Sequence, residues 1–328
     1  MAVFAVGAEA DTFSLGASMA FAHETTAGRF ESNLSRGAML VTQGASEIYL
    51  PFGTALSDFW IHMRLYQEDA SASTESYFYI KNAAGTEDEY RIQMNSDGTW
   101  TIQRYKSATY TTLGTTAAAV LVNAAADIDI HVTRNLTTGL FAIYKNGVSI
   151  FNFTGDTDTT SVPAMIYFEG MTTNTKEMNI SQVIIADEST IGWKLSTLSP
   201  TGNGANTAWT NDYLNVDEFV YDNTDFIETN VVGNFETYTS SGINAAYSTY
   251  NVKAVTVAAR MSNDAGSAVA DVQFVVRTGG TNYTSPNSSL PKDGAEYSKQ
   301  YTWNSNPNTA GAWSQSQVNA AEIGVKSV

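Results

Sequence analysis

From Ser76 to Tyr105 the chain reads SYFYIKNAAGTEDEYRIQMNSDGTWTIQRY, with apolar residues recurring at every second position between Asn-Ala-Ala-Gly and Asn-Ser-Asp-Gly. A period of two belongs to a strand with one buried face, whereas a helix needs a period near 3.6. Both tetrapeptides suit tight reversals, because Gly and Asn accept a positive φ at low cost. The pattern continues in DIDIHVTRNLTTGLFAIYKNGVSIFNF, residues 127–153, punctuated at Asn135–Gly139 and at Lys145-Asn146-Gly147. A further strand is predicted in MNISQVIIADEST, residues 178–190, where the run Val183–Ala186 fits a strand covered on both faces. Helical periodicity is almost absent, so the chain is expected to be all-β.

A length of 328 residues suits two domains. Two antiparallel β-sandwich domains are predicted, with an N-terminal segment of small and apolar residues, 1–45, supplying the first strands and an arm for docking onto a neighbour. Residues 46–191 form the first sandwich. The stretch 192–212, containing TLSPTGNGANTAWTND, has no sustained apolar period and reads as a linker. Residues 213–328 form a smaller sandwich, in which 252–280 is expected to be one long hairpin turning at Asn263–Gly266.

The formal net charge is −16 and the basic residues are scattered. A grip on nucleic acid or on an anionic membrane needs clustered Lys and Arg, so neither partner is expected. There is no cysteine, as suits a protein folded by packing alone in a reducing cytoplasm. The start lacks a basic region of the signal-peptide type, and no apolar run approaches the roughly 20 residues of a membrane span.

Two resemblances follow from particular residues. The strand Asp127–Val132, the strand Phe141–Tyr144 and the hairpin Lys145-Asn146-Gly147-Val148 resemble laminin G-like or concanavalin-like jelly rolls. Further on come Val183–Glu188, Leu195–Gly202, Trp209, Val216–Glu218, Asp222–Ile227, Asn306–Trp313 and Asn319–Val325. In that order they resemble a family of tailed-bacteriophage virion proteins. This resemblance implies a structural protein of the particle, on head or tail, assembled in the host cytoplasm. Such a protein would partner other virion proteins and itself, as a symmetric homo-oligomer with a trimer favoured. The alternative is a carbohydrate-binding adhesin that recognises host surface glycans.

Candidate chemistry is sparse. Asp127, Asp129 and His131 share one strand face and could mimic the carboxylate pair of a glycosidase; the plainer reading is a set of polar residues on the wetter face of a half-buried strand. Glu87, Asp88 and Glu89 read as a solvated hairpin tip. Asp156 and Asp158 offer oxygen ligands to calcium, as do Asp222 and Asp225, but neither loop has the Gly and terminal Glu of the roughly 12-residue calcium loop. His23 and His62 lack neighbours at zinc-ligand spacing. With no phosphate loop, nucleophile elbow or zinc motif, no catalysis and no cofactor are expected.

Trp100, Tyr105 and Tyr110 are the candidates for a sugar-stacking platform, while Trp60 is expected in the core. At the C-terminus Ser314 and Gln317 have the spacing of a capping box, and Gly324 is placed to end the helix in the left-handed conformation. A helix of about two turns is too short to stand alone, so Trp313, Val318 and Ile323 are expected to pack on the second sandwich as its lid.

Overall fold

The computed structural model describes residues 1–8, 12–15, 22–23, 26, 28–31, 34, 38–40, 47–67, 75–95, 97–121, 123–169, 178–218 and 224–328. The chain is all-β, with antiparallel sheets, and divides into two compact units, Met1–Leu195 and Ser196–Val328. No helix among the described residues is long and apolar enough to cross a membrane.

The first unit is a jelly-roll sandwich. Among the described residues its eight-stranded sheet runs Val148–Gly155, Gly139–Lys145, Ala124–Thr133, Asp58–Gln67, Met178–Ala186, Ala38–Leu40 and Ala22–His23, with Val3–Gly7 also paired to Met178–Ala186. The seven-stranded sheet runs Thr109–Thr115, Trp100–Lys106, Asp88–Met94, Glu75–Lys81, Met165–Glu169, Glu47–Pro51 and Ser14–Leu15. Alternate residues of each strand face inward. Phe59, Ile61, Met63, Ile128, Ile130 and Phe141 of one sheet share a core with Phe78, Ile80, Ile92, Trp100, Ile102 and Phe168 of the other. That burial, at about 25 cal/mol per Å² of apolar surface, is what fixes the register of every strand.

The N-terminal segment is paired into the first unit: Ala5, Val6 and Gly7 pair with Ile185, Ile184 and Val183, and Phe13 is fully buried in the core. Much of the rest of 1–45 lies outside the described residues. The boundary between the units falls within 192–212, expected as a linker, but that stretch also contains a strand, Pro200–Thr207, at the edge of the second unit's sheet. Gly204 belongs there for reasons of space, since a Cβ would sit 2.7 Å from the Thr237 carbonyl oxygen.

Among the described residues the second unit has a six-stranded sheet, in the order Pro200–Thr207, Phe235–Ser240, Glu322–Ser327, Asp271–Thr278 and Thr281–Thr284, with Ser288–Ser289 also on Asp271–Thr278. A two-stranded sheet pairs Val255–Ser262 with Glu296–Trp303. The segment 252–280 is therefore not a hairpin: its two strands belong to different sheets. Asn263 anchors the crossing, its buried amide donating to the carbonyl oxygens of Val269 and Leu290 at 3.1 and 3.3 Å.

The terminal helix is a single turn, Gln315–Asn319, and its capping box is formed. Ser314 Oγ accepts from the Gln317 N–H at 3.2 Å, and Gln317 Oε1 accepts from the Ser314 N–H at 2.9 Å. The helix ends at Ala320, not at Gly324. Gly324 instead occupies the middle of Glu322–Ser327, between Thr237 and Val275 of the flanking strands, where a Cβ would lie 1.9 Å from the Glu236 carbonyl oxygen. Trp313 and Val318 are buried in the core with Phe274 and Val325, and Ile323 packs at its margin.

Candidate functional site

Each strand of the seven-stranded sheet also presents an outer row, because residues beside core positions point the opposite way. Register places Ser14, Tyr49, Tyr167, Tyr79, Arg91, Gln103 and Thr112 directly opposite one another in sequence across all seven strands. Six strand spacings of about 4.8 Å make this row about 29 Å long. One half is aromatic and the other polar.

The Tyr49 and Tyr167 rings stack at 6.3 Å with an interplanar angle of 11°, and Tyr79 meets Tyr167 edge-on at 6.1 Å. The Tyr79 hydroxyl donates to Glu169 Oε2 at 2.8 Å. Lys81 Nζ lies 3.9 Å from the Tyr167 ring centre and 3.2 Å from Asp88 Oδ1. Asp88 Oδ2 accepts from the Tyr110 hydroxyl at 2.6 Å. Partial burial, then that carboxylate, holds the Tyr110 phenol well above its ordinary pKa, so it remains a donor. Arg91 donates through Nε and Nη2 to Gln103 Oε1 at 2.9 and 2.6 Å, while its guanidinium carbon sits 3.9 Å from the Tyr110 ring centre. Gln103 in turn donates to Thr112 Oγ1 at 3.3 Å.

Of the three platform candidates, Tyr105 and Tyr110 do meet on this face, their rings 5.0 Å apart. Trp100 does not. It is 1% exposed and packs edge-on against Phe78 at 5.7 Å, because its strand position has inward parity. Trp60 is displaced the other way: it stands on the outer face of the eight-stranded sheet, stacked on His131 at 4.3 Å and on Tyr144 at 5.6 Å. Sequence reading missed Tyr49, Tyr79, Tyr167 and Arg91. Their outward parity was available, but the neighbours of their strands were not.

The calcium candidates are occupied by cations of the chain itself. Asp156 pairs with Arg104 at 2.9 Å, and Asp158 with Lys106 at 2.7 Å and Arg134 at 2.8 Å. The Lys106 hydrogen bond, opposed by some burial and aided by Arg134, holds the Asp158 carboxyl below its usual range. No group of three or more metal-binding side chains occurs among the described residues. Asp222 lies outside them, and Asp225 accepts a hydrogen bond from Asn215.

Asp127, Asp129 and His131 do share a face, opposite Arg64, His62 and Trp60. Asp129 Oδ1 lies 2.9 Å from His62 Nδ1 and accepts from Thr190 Oγ1 at 2.8 Å, all three being buried. Asp127 pairs with Arg64 at 3.0 Å and Lys194 at 2.8 Å. Burial pushes the Asp127 carboxyl up, but Lys194, His62 and Arg64 together outweigh it and the net shift is downward. That is the wrong direction for a general acid. His131 pairs with Asp58 at 3.0 Å. The side chain of His23 lies outside the described residues.

Glu87, Asp88 and Glu89 are not a solvated tip. Glu87 accepts from Ser161 Oγ at 2.8 Å, Asp88 holds Lys81 and Tyr110, and Glu89 is fully buried against the Ser161 N–H. Burial pushes the Glu89 carboxyl above its usual range.

No family model matches the chain, and no curated protein matches it. Similar solved structures include the carbohydrate-binding module CBM66 from Bacillus subtilis, at 9% identity over 53% of this chain and 95% of that one, with a TM-score of 0.37. The T. cruzi calreticulin globular domain is 8% identical over 58% of this chain and 90% of its own, with a TM-score of 0.44. The galectin LEC-6 of Caenorhabditis elegans is 11% identical over 45% and 94%, with a TM-score of 0.32. These are likenesses of architecture alone.

Proposed function

We propose that the chain is a non-catalytic carbohydrate-binding protein whose jelly roll takes a glycan along the outer row of its seven-stranded sheet. The observation that carries this is the alignment of Tyr49, Tyr167 and Tyr79 with Arg91, Gln103 and Thr112 across consecutive strands. A sugar ring has an apolar face and a rim of hydroxyls. The half-buried Tyr49 and Tyr79 rings suit the first, with the buried Tyr167 ring bracing them, and the amide, guanidinium and hydroxyl groups beside them suit the second. Each such group is braced by a neighbour, which lowers the ordering cost of binding. CBM66 is by name a carbohydrate-binding module; support for this chain comes from the row. The test is a glycan array with the full chain, followed by Tyr79→Ala and Tyr49→Ala. Binding to at least one glycan class, lost in both variants, is expected; a wild-type chain that binds no glycan would overturn the reading.

The ordered resemblance of 180–328 to phage virion proteins favours a setting for this role: a surface protein of the particle, assembled as a homo-oligomer, with a trimer favoured because a closed ring covers sheet edges. Mass spectrometry of purified particles and light scattering of the isolated chain test it. Absence from particles sinks the setting, and a monomer in solution sinks the oligomer.

A further inference from the structure

Arg91 is the arginine of the tyrosine row and carries its charge without a carboxylate partner among the described residues. The chain has 33 Asp and Glu against 17 Lys and Arg, so a cation readily finds a carboxylate. In the first unit Arg64, Lys81, Arg104, Lys106, Arg134 and Lys194 each lie within ion-pair distance of one. Arg91 and Lys145 have none among the described residues, and Lys145 donates instead to the Val120 carbonyl oxygen at 2.6 Å. The polar partner of Arg91 is the neutral Gln103, and the Tyr110 ring lies against its guanidinium.

The arrangement fixes the guanidinium plane while leaving its charge unspent. Nε and one N–H of Nη2 are used on Gln103, so three of the five donors, including both on Nη1, remain for a ligand. The overall negative charge does not cancel this, because fields between exposed groups are screened beyond about 8 Å at physiological salt. Asp88, the nearby acid, is itself held by Lys81 and Tyr110. Glu169 is two strands away, about 10 Å. Arg91 also lies directly opposite Tyr79. A sugar resting on Tyr79 therefore places its substituents within reach of a rigid fork suited to two-oxygen acceptors.

We propose that Arg91 receives the anionic group of an acidic glycan, a carboxylate or a sulfate ester, from a sugar seated on Tyr79. This rests on the tyrosine row being the glycan site. The test uses the full chain on an array of oligogalacturonides, hyaluronan and polysialic acid oligomers and sulfated galactans. Each is printed beside its carboxyl-reduced or desulfated counterpart. The expected result is an anionic glycan bound about tenfold or more above its neutral counterpart, as a charge-assisted pair provides. That ratio should collapse toward one in Arg91→Gln and recover in part in Arg91→Lys. The carboxylate and sulfate arms identify the acid. An array on which no anionic glycan outbinds its neutral counterpart overturns the proposal. If Tyr79→Ala still abolishes binding on that array, the row survives as a neutral-sugar site; if no glycan binds at all, both readings fall.

Discussion

The indole Nε1 of Trp313 donates a 3.1 Å hydrogen bond to the carbonyl oxygen of Trp303, tying the segment before the terminal helix to the last residue of the strand Glu296–Trp303. Both rings belong to the second unit's core. Trp313→Ala should destabilise that unit by about 3 kcal/mol or more, as for a large buried aromatic. Trp313→Phe should recover most of the packing and lose about 1 kcal/mol for the hydrogen bond. Urea melts of the two variants check this, and an unchanged midpoint in Trp313→Ala would refute the lid.

Gly324→Ala should be more damaging than its size suggests. The obstacle is the Glu236 backbone, which cannot rotate aside as a side chain can. The cost is expected at about 1–3 kcal/mol, typical of overpacking. Gly266→Ala, which meets nothing within 4 Å, is the control and should be near neutral. Equal melting curves for the two would show that the central strand yields.

The Glu89 carboxyl is pushed up chiefly by burial, with the Ser161 N–H pulling the other way. A carboxyl with a raised folded-state pKa binds more protons when folded than when unfolded. Stability therefore falls as pH rises from the ordinary value of about 4.3 through the folded one. Glu89→Gln should flatten that fall in the melting of the first unit. Superimposable pH profiles of wild type and variant would count against it.

The loop at Asp156 and Asp158 is held by ion pairs to Arg104, Lys106 and Arg134. Millimolar calcium or EDTA should leave the melting temperature in place, whereas Asp158→Asn should cost about 1 kcal/mol, since the pair is partly exposed. A calcium-dependent rise in melting temperature would reverse this assignment.

Much of the fold was legible because burial writes itself into parity. Val183–Ala186 was read as covered on both faces, and it is. The capping residues Ser314 and Gln317 were legible because a cap is a local hydrogen-bond pattern. What parity cannot give is adjacency. Tyr49 and Tyr167 lie far apart in sequence and stack because their strands are neighbours in the sheet. Nor does the sequence say why a glycine is present. Gly204 and Gly324 look like a linker and a helix stop, yet both serve close backbone approach. Nor does the place of Trp100 just after Asn-Ser-Asp-Gly say which side of the strand its ring takes; it lies inside.

Tyr49, Tyr167, Tyr79 and Arg91 each sit on their own strand, with core residues one position before and after them. The outer face of these strands is thereby separated by one residue from the core it covers. A substitution on it disturbs the stacked and hydrogen-bonded neighbours across the strands rather than the packed interior.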